Sequence, residues 1–409
     1  MNYSCDFLIV GGGVVGLTIA HQLLERNISS KIIIIDKEPN LGLHSSGRNS
    51  GVIHAGIYYE PNSVKAKVCV SGAKRLKEWS IENGIKIKNC GKLIIPQKHD
   101  LDPQLDTLYE RGKKNGAVLD FIGAKEIEKL VPEANITTGR ALWSPNTSVI
   151  NPKSVIYKLQ SNLKSKGIKI INSVNDFKPN KKTNELKLTN GLKIKYGYFI
   201  NSAGLQADKV AHKFDVGLDY KIIPFKGIYW QLSKNCPFDI KLNLYPVPDL
   251  NVPFLGVHFT PSANDNFVFI GPTAIPSLGR ENYRLLENIE FQNSILDFSF
   301  LAKQYLLNED GFRKYVREQA LLGIPALFLR SAKDLIPRLN QSHLERSSKV
   351  GIRAQLFNMK TNRIVKDFLC LEGEKSLHIV SAISPAFTAS FSFADLVIDN
   401  YLLKNINKS

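Results

Sequence analysis

A glycine-rich segment near the start of the chain has the spacing of a dinucleotide-binding turn. Gly11, Gly13 and Gly16 follow the pattern G-x-G-x-x-G, and Asp36 lies 25 residues after Gly11. In such a turn the first glycine permits the tight bend, the second lets a pyrophosphate approach the backbone, and the third lets helix and strand pack closely. A carboxylate at Asp36 would accept hydrogen bonds from an adenosine ribose and would repel a 2′-phosphate, which disfavours NADP.

Apolar runs on both sides of this turn predict one βαβ unit. Residues 6–10 and 31–35 have the pattern of buried parallel strands, and residues 17–26 have helical spacing. Strand, turn, helix and strand within about 30 residues form such a unit. A later strand, residues 198–204, ends in Ala-Gly and predicts a second glycine turn at the cofactor. The second turn favours FAD over NAD, because two-domain FAD oxidoreductases have such a segment and simple NAD dehydrogenases do not.

The composition is that of a globular protein. Of the 409 residues, 43% are hydrophobic and 22% are charged, and the length suits two or three domains. The formal net charge of +17 favours acidic partners. The lysines are dispersed, however, and no block of about five like charges occurs, so we expect no nucleic-acid-binding tail.

Cysteine spacing and apolar runs indicate the compartment. The five cysteines are spread widely without a CxxC pair, which argues against a disulfide framework or a zinc ribbon and is typical of a reducing compartment. We therefore predict no metal site. Residues 7–20 are apolar but follow an acid, contain three glycines and are shorter than the roughly 20 residues of a membrane span. We expect a cytoplasmic protein whose charge would suit peripheral contact with an anionic membrane.

The remaining pattern predicts a mixed α/β protein with one discontinuous domain. Residues 41–59 are expected to form an ordered loop, and residues 221–273 are β-rich and punctuated by prolines. Helices are expected at residues 62–82, 102–116, 125–130, 151–166, 287–329 and 384–403, and further strands at 169–174, 186–188, 192–194, 349–355, 365–371 and 377–380. A Rossmann-like FAD-binding domain is expected from residues 1–85, 140–215 and 345–409. The inserted substrate domain, a β-sheet with helices, is then residues 86–139 and 216–344.

Five further runs point to a known family. They are SSGRNSGVIHAGIYYEPNSVKAK at 45–67, CGKL at 90–93, YPVPDLNVPFLGVHFT at 245–260, GIRAQ at 351–355 and SPAFTAS at 384–390. With them the chain resembles the L-2-hydroxyglutarate dehydrogenase/oxidase family, flavoproteins of the broader D-amino-acid-oxidase-like superfamily. The resemblance extends from about residue 6 to residue 403. It implies noncovalent FAD and the oxidation of an L-2-hydroxy dicarboxylate, a small anionic substrate, to a 2-oxo acid.

The chain departs from the family pattern in the expected substrate domain. Where the family usually has PFRGEY, this chain has Lys226 and Ile228 in place of the Arg and the Glu. Where the family usually has GPNAVLAFKREGY, Gly279 replaces a Lys, while Arg280, Glu281 and Tyr283 remain. These departures leave the FAD motifs unchanged and concern only which acid is bound.

Three residues are the candidates for chemistry on a 2-hydroxy acid. Arg353 is expected to clamp the carboxylate, because a guanidinium fork matches a carboxylate bidentately. His54 and His258 are alternative bases for the hydroxyl proton, since imidazole titrates near neutral pH. The resemblance places His54 beside the isoalloxazine ring and His258, on an apolar β-run, next to the substrate. Either histidine could instead be a hydrogen-bonded structural residue.

The expected binding residues extend these groups. Ser384 and Pro385 are predicted to cap the last helix and to occupy its first position, so that the N-terminus would favour an anionic reduced flavin. The expected FAD-binding residues are Gly11, Gly13, Val15, Gly16, Asp36, Lys37, Ser45, Ser46, Arg48, Asn49, Ser50, Val174, Ala203, Gly204, Ser384, Pro385 and Ala386. The expected substrate-binding residues are Tyr58, Tyr245, Lys226 and Arg353.

Two other classes of function remain open from the sequence. A flavin amine oxidase or a glycerol-3-phosphate-type dehydrogenase would share the fold and the cofactor motif. A nucleotide-binding module that binds RNA would need clustered basic and aromatic residues on one face, and the dispersed lysines argue against it. For the enzyme, reduced flavin would pass its electrons to oxygen or to a membrane quinone.

Overall fold

Two large β-sheets organise the chain, and a small three-stranded sheet lies beside them. The computed structural model describes residues 2–248, 250, 255–308 and 311–406. In chain order the strands are β1 Asn2–Val10, β2 Ile32–Ile35, β3 Val52–Ile53, β4 Ile87–Lys88, β5 Lys92–Ile95, β6 Asp120–Gly123, β7 Arg140–Ser144, β8 Ser148–Ile150, β9 Lys169–Ile171, β10 Phe177–Asn180, β11 Glu185–Leu188, β12 Lys193–Asn201, β13 Tyr220–Leu232, β14 Asn243–Pro246, β15 His258–Pro261, β16 Val268–Gly271, β17 Ile275–Pro276, β18 Leu344–Asn358, β19 Arg363–Ile364, β20 Leu369–Gly373 and β21 Ser376–Ser381.

The helices flank these sheets. They are α1 Val14–Glu25, α2 Ser45–Arg48, α3 Val64–Glu82, α4 Pro103–Lys114, α5 Ala124–Leu130, α6 Pro152–Ser165, α7 Ala207–His212, α8 Phe291–Leu307, α9 Phe312–Gln319, α10 Pro325–Lys333, α11 Ala386–Val397 and α12 Leu403–Ile406. A π-helical turn, Ile398–Leu402, joins the last two. No helix in the described part of the chain is long and apolar enough to cross a membrane.

The first sheet carries the glycine turns. Its order is β10-β11-β12-β1-β2-β9, with β21 also paired to β12 and β20 paired to β21. Strand β1 runs parallel to both β2 and β12, so the two turns that follow β1 and β12 lie side by side. All four isoleucines of β2 are buried, as expected for a strand covered on both faces. Helices α1, α3, α6 and α11 pack on one face.

The second sheet has two unlike faces. Its order is β19-β18-β13-β16-β15-β14-β5-β7-β6, with β17 paired to β13. One face is an apolar core in which Leu93, Phe259 and Ile270 pack against Phe328 of α10. Side chains of a strand alternate between faces, so neighbours of these residues point the other way, toward the first sheet. That second face holds the polar residues of the site.

Several local predictions are confirmed. The βαβ unit is present, and the helix expected at 62–82 is α3, Val64–Glu82. The structure adds its cap, because the Ser63 hydroxyl accepts a hydrogen bond from the Ala66 amide. Asn151 caps α6 by accepting a 3.0 Å hydrogen bond from the Lys153 amide. The hairpin around Asn190 is formed by β11 and the start of β12.

Other predictions are corrected. Residues 41–59 are not only a loop, because they include α2 and β3. The expected strand at 365–371 begins only at Leu369, where β20 starts, because β19 ends at Ile364. Ser384 does not cap α11 and Pro385 is not its first residue: the Ala389 amide donates to the Pro385 carbonyl, which makes Pro385 itself the capping position and Ala386 the start.

Strand pairing also bears on the expected domain boundaries. Residues 140–144 and 344–358 form β7 and β18, and both strands belong to the second sheet. Strand β7 begins at residue 140, where the second segment of the FAD-binding domain was expected to begin. It pairs instead with β5 of the second sheet. By this pairing the segments of the first sheet begin after β7 and after β18.

Candidate active site

A long cleft between the two sheets contains most of the predicted site residues. It begins at the ends of β1 and β2 and reaches the polar face of the second sheet. The predicted residues that line it are Gly11, Gly13, Val15, Asp36, Lys37, Ser45, Ser46, Arg48, Asn49, Ser50, His54, Ala203, Gly204, Tyr245, His258, Arg353, Ser384, Pro385 and Ala386. Gly16, Val174, Tyr58 and Lys226 stand behind this lining or away from it.

The first glycine turn has no room for side chains. Gly11 has φ +107°, and a Cβ there would lie 2.4 Å from the Ser202 carbonyl oxygen. A Cβ on Gly16 would lie 2.1 Å from the Gly11 oxygen, so this glycine acts through packing. A Cβ on Gly13 would lie 2.9 Å from the Ser46 hydroxyl and would project into the cleft. The backbone is therefore bare where a pyrophosphate would approach the start of α1, a cradle that a Cβ would obstruct.

Asp36 is held at the far end of the cleft. Its carboxylate accepts hydrogen bonds from the amides of Gly12, at 2.6 Å, and Glu38, at 2.8 Å. Burial raises the pKa of Asp36, and the two amides oppose that rise. The Val174 amide donates to the Asp36 carbonyl at 2.9 Å, which places Val174 beside the same end. This geometry suits the ribose of an adenosine, since a carboxylate has further lone pairs for hydroxyl donors.

The short helix α2 joins the glycine turn to the second sheet. The Ser46 hydroxyl accepts from the Val14 amide at 2.9 Å, at the N-terminus of α1. The Ser45 hydroxyl donates to the Ile352 carbonyl at 3.0 Å, next to Arg353 in β18. Two of the sequence runs that carry the family resemblance, residues 45–67 and 351–355, therefore meet at this hydrogen bond.

The second glycine turn packs directly against the first. The Ser202 hydroxyl donates to the carbonyls of Val10, at 3.0 Å, and Gly11, at 3.1 Å. Gly204, with φ +54°, continues the cleft wall. The parallel pairing of β1 with β12 is what brings the two turns together.

Residues 279–283 lie on the side of the second sheet and contact residues on the opposite wall of the cleft. The Glu281 carboxylate lies 2.7 Å from the Lys37 ammonium and accepts a 3.0 Å hydrogen bond from Gln206. Glu38, His44 and Glu281 could by type and spacing surround a cation, but Lys37 already forms ion pairs with both acids. The acids are therefore balanced by the chain's own lysine.

Tyr283, in the same segment as Glu281, contacts His44 and Arg48. Its hydroxyl lies 2.7 Å from His44 Nδ1, and the two rings are stacked with centroids 5.8 Å apart. The Arg48 guanidinium lies 3.9 Å from the centroid of the Tyr283 ring. The contact is the kind that cation–π attraction stabilises.

His54 lies at the opposite end of the cleft, on a fixed loop. The Thr388 hydroxyl of α11 accepts from the His54 amide and donates to the Val52 carbonyl, each at 3.1 Å. The pKa of His54 is held well below 6.5 by burial first, and then by the charges of Lys92 and His258. In the described residues its Nδ1 has no hydrogen-bond partner.

His258 faces the same space from the first position of β15. Residues 249 and 251–254 of the preceding run, which carry part of the family resemblance, lie outside the described residues. The imidazole stacks on Tyr245 with centroids 3.9 Å apart, and its Nδ1 lies 2.9 Å from the Gly256 carbonyl oxygen. Because that oxygen can only accept, Nδ1 carries the proton in the neutral ring and Nε2 keeps a lone pair. Burial lowers the pKa of His258 to about 3, with a smaller contribution from Lys92 and Arg353.

Arg353 stands on β18 opposite Phe225 of β13 and lines the cleft. Burial lowers its pKa, and Tyr229, Tyr315 and Tyr245 oppose that effect. An arginine remains protonated under such conditions, so this end of the cleft combines one guanidinium with two neutral imidazoles.

Two predicted substrate residues have other neighbours. The Lys226 ammonium donates to the Asn282 side-chain oxygen at 2.5 Å, and Lys226 does not line the cleft. Tyr58 is buried behind the lining, where its ring centroid lies 5.1 Å from the Lys92 ammonium.

Sequence reasoning missed three residues at the reaction end. Lys92 is fully buried, Tyr229 lines the cleft near Arg353, and Thr388 holds the His54 loop. Lys92 gives a local signal, because it is a lone charge at the head of the apolar strand KLII. Thr388 lies in the run at 384–390 that carries the resemblance, but that run does not predict its contact with His54. The positions of Tyr229 and Thr388 depend on contacts between segments that are far apart in the chain.

Comparison with known proteins agrees with this geometry. The family DAO, described as FAD dependent oxidoreductase, matches residues 6–400. An L-alpha-glycerophosphate oxidase from Mycoplasma pneumoniae, solved with FAD bound, has 21% identity and a TM-score of 0.74 over 97% of this chain and 95% of its own. An L-amino acid deaminase from Proteus vulgaris has 16% identity and a TM-score of 0.71 over 98% and 94%. These two structures establish likeness of fold.

Three relatives that match over nearly their full length are named L-2-hydroxyglutarate dehydrogenase. Mitochondrial L-2-hydroxyglutarate dehydrogenase from Caenorhabditis briggsae is 35% identical, over 96% of this chain and 92% of its own. The Homo sapiens protein of the same name is 32% identical over 97% and 88%. L-2-hydroxyglutarate dehydrogenase from an Escherichia coli strain is 30% identical over 94% and 90%.

The fold and the cleft define a flavoprotein oxidoreductase with FAD as its cofactor. The chain belongs to the FAD-dependent oxidoreductase family and, within it, to the group of the L-2-hydroxyglutarate dehydrogenases.

Proposed function

We propose that this protein oxidises L-2-hydroxyglutarate to 2-oxoglutarate with FAD. The observation that carries the proposal is the reaction end of the cleft, where Arg353 lies with the neutral imidazoles of His54 and His258. The name shared by the relatives supports this substrate. Bound FAD would supply the acceptor for the hydrogen of the substrate's C2.

Arg353, His258 and His54 have separate roles in this reaction. Arg353 holds the carboxylate next to the reacting carbon through a bidentate pair. The substrate hydroxyl gives its proton to Nε2 of His258, the nitrogen that the Gly256 contact leaves unprotonated. His54, fixed by Thr388, orients the hydroxyl from the other side.

Substrate binding itself makes the base stronger. In the free protein, burial and two cations keep the pKa of His258 at about 3. The carboxylates of the bound substrate neutralise those cations, so the pKa of His258 rises toward the range in which it can accept a proton. The base is therefore effective only when an anionic substrate is present.

An anaerobic reduction assay tests this function. The holoprotein is mixed with L- and D-2-hydroxyglutarate, other L-2-hydroxy acids, glycerol 3-phosphate and amino acids, and flavin absorbance is followed. We expect bleaching by L-2-hydroxyglutarate alone, and His258→Asn should slow it by about 10²–10⁴-fold while FAD stays bound. Bleaching by another compound, with none by L-2-hydroxyglutarate, would show the proposal to be wrong.

We also propose that α8 and the loop before it contact an anionic membrane. Helix α8 buries polar residues, namely Ser294, Asp297 and Gln304, and exposes apolar ones. Its exposed apolar neighbours are Leu285 (80%), Leu286 (81%), Ile289, Phe291 (72%), Ile295, Leu296, Phe298, Leu306 and Leu307. An apolar surface of this extent marks an interaction site.

The charge of the neighbouring residues supports a lipid surface as the partner. Arg313, Lys314 and Arg317 of α9 follow this apolar surface, and the whole chain has a net charge of +17. Basic residues beside exposed apolar ones are what an interfacial segment needs on an anionic leaflet. A quinone in that membrane is then the proposed electron acceptor, with oxygen as the alternative.

Vesicle sedimentation tests the membrane proposal. The protein should bind vesicles that contain anionic phosphatidylglycerol more than neutral ones, and less at high salt. Changing Leu285, Leu286 and Phe291 together to Gln should abolish binding, whereas Tyr157→Gln, which alters an equally exposed residue elsewhere (72%), should not. If the triple variant still sediments with vesicles, α8 is not the contact. If the reduced protein reduces a quinone no faster than it reduces oxygen, oxygen is favoured as the electron acceptor.

The arrangement of domains and the compartment are two further proposals. We propose a discontinuous FAD-binding domain around the first sheet and a substrate domain around the second. We propose a reducing compartment at the inner face of a membrane, because all five cysteines are free. Fractionation of the native cell, with flavin-linked activity as the marker, checks the location.

A further inference from the structure

Lys92 is a buried cation close to the reaction end of the cleft. It is the first residue of β5 and is fully withdrawn from solvent. Its ammonium lies 4.1 Å from the centroid of the Tyr245 ring and 5.1 Å from that of Tyr58. Among the residues that the structure describes, Nζ has no hydrogen-bond partner. A buried ammonium with aromatic rings beside it but no anion is costly unless a ligand supplies the anion.

Strand register places Lys92 on the substrate side of the second sheet. Lys92 pairs with Asn243 of β14, so Tyr245, two residues further on, points to the same face. Across the next strand pair, His258 stacks on that tyrosine. The ammonium and the proposed base therefore contact the same aromatic ring.

Among the residues that the structure describes, which leave out residue 249 and residues 251–254, no neighbouring group neutralises this charge. The nearest potential anions are the thiols of Cys69 and Cys90, and burial raises the pKa of both, so they remain protonated. The imidazole of His258 experiences the positive charges of both Lys92 and Arg353. Arg353 lines the cleft, and Lys92 lies directly behind the Tyr245 ring that lines it. Two cations so placed are the electrostatic complement of a substrate with two negative charges.

We propose that Lys92 makes the pocket selective for a 2-hydroxy dicarboxylate: Arg353 binds the carboxylate beside the reacting carbon, and Lys92 offsets the charge of the second, distal carboxylate. This inference rests on the proposed oxidation of a 2-hydroxy acid and deepens it. It separates substrates by charge, so a monocarboxylate of equal length gains nothing from Lys92.

Lys92→Met tests the assignment, because Met keeps the length of the side chain and removes its charge. The two substrates are L-2-hydroxyglutarate and L-2-hydroxypentanoate, which share five carbons and differ in the distal carboxylate. For Lys92→Met we expect kcat/KM to fall at least about tenfold with the dicarboxylate, as removal of one partner of a buried charge pair usually does. With the monocarboxylate, kcat/KM should change little.

Binding of unreactive analogues supplies a second measurement. Glutarate should bind the native protein more tightly than pentanoate, as measured by the change each causes in the flavin spectrum. This preference should be absent in Lys92→Met. Lys65→Met is the matched control, since Lys65 is another buried lysine, bonded to the Lys366 carbonyl outside the cleft; it should keep the preference.

The outcomes separate this inference from the proposed function. Equal losses for both substrates in Lys92→Met, or an unchanged preference for glutarate, would overturn the role of Lys92. If the native protein oxidises neither hydroxy acid, the proposed function fails, and the comparison of glutarate with pentanoate still decides whether Lys92 reads a second carboxylate.

Discussion

The carboxylate of Glu281, on the side of the second sheet, lies 2.7 Å from the ammonium of Lys37, which follows the last strand of the βαβ unit. Glu281 also accepts from Gln206, which belongs to the second glycine turn. One carboxylate thus links the residues that follow β2 and the second glycine turn to the opposite wall of the cleft. The link lies at the end of the cleft that holds Asp36, the residue expected to bind the adenosine ribose.

We expect Glu281→Gln to weaken retention of FAD. The neutral amide loses the ion pair with Lys37; burial alone would lower the pKa of Lys37, but Glu281 and Glu38 raise it above its usual value. FAD release on dilution, followed by flavin fluorescence, should be faster by about 3–30-fold, with little change in kcat at saturating FAD. Glu287→Gln, in the same segment but paired with the exposed Arg284, is the control and should release FAD at the native rate.

Asp208 and Arg280 form a buried ion pair between the same two parts of the chain. Their side chains are 2% and 5% exposed, and Arg280 Nη2 lies 2.8 Å from Asp208 Oδ2. Asp208→Asn leaves the guanidinium without its anion, so we expect a loss of about 3–5 kcal/mol in the free energy of unfolding. Urea denaturation measures it, and Asp399→Asn, in an exposed pair, should cost under about 1 kcal/mol.

The same pair predicts how stability depends on pH. Burial alone would raise the pKa of Asp208, but Arg280 and the backbone amides lower it below its usual value. A carboxyl with a lowered folded pKa stabilises the protein above its unfolded pKa, and this stabilisation is lost as pH falls through the folded value. The urea midpoint of the native protein should therefore fall more steeply below about pH 4 than that of Asp208→Asn.

Local sequence signals predicted the glycine turn and the βαβ unit that carries it. The glycine spacing, the apolar runs that became β1 and β2, and the cap at Asn151 all depend on residues a few positions apart. Alternation and helical periodicity report such short-range relations directly. The lack of room at Gly11 and Gly16 follows the physical roles assigned from the sequence.

The reaction end and α8 depended on long-range contacts. Thr388 reaches His54 across more than three hundred residues of chain, and no spacing rule contains that contact. Helix α8 has the reverse of the usual pattern of buried apolar and exposed polar residues. Asp297 is buried and pairs with Lys221, whereas Phe291 is exposed. A rule that places apolar residues inside predicts the helix and assigns its faces wrongly.

Activity toward L-2-hydroxyglutarate should have an unusual pH profile. Burial lowers the pKa of Lys92 to about 7, against an ordinary value of 10.5. Loss of the Lys92 proton removes a cation that the dianionic substrate needs, so kcat/KM should fall as pH rises above about 7. The pKa values of His54 and His258 lie below 6.5, so the acidic limb should lie well below that pH.

The two limbs are assigned by variants. In Lys92→Met the alkaline limb should disappear from the kcat/KM profile, while the acidic limb should move to higher pH because His258 loses a neighbouring cation. The kcat profile of the native enzyme should keep an alkaline limb at higher pH, since a bound carboxylate raises the pKa of Lys92. An alkaline limb that survives unchanged in Lys92→Met would assign it to another group.

Thr388→Val should separate positioning of His54 from binding of substrate. Valine keeps the shape of threonine but removes the hydroxyl that serves both the His54 amide and the Val52 carbonyl. Leaving these two buried groups unpaired costs about 1–3 kcal/mol each, and the loop relaxes away from the cleft. We expect kcat for L-2-hydroxyglutarate to fall about tenfold or more, with KM nearly unchanged because Arg353 is untouched. Thr388→Ser, which restores the hydroxyl, should recover most of the rate, and equal rates for the Val and Ser variants would mean that the hydroxyl does not position His54.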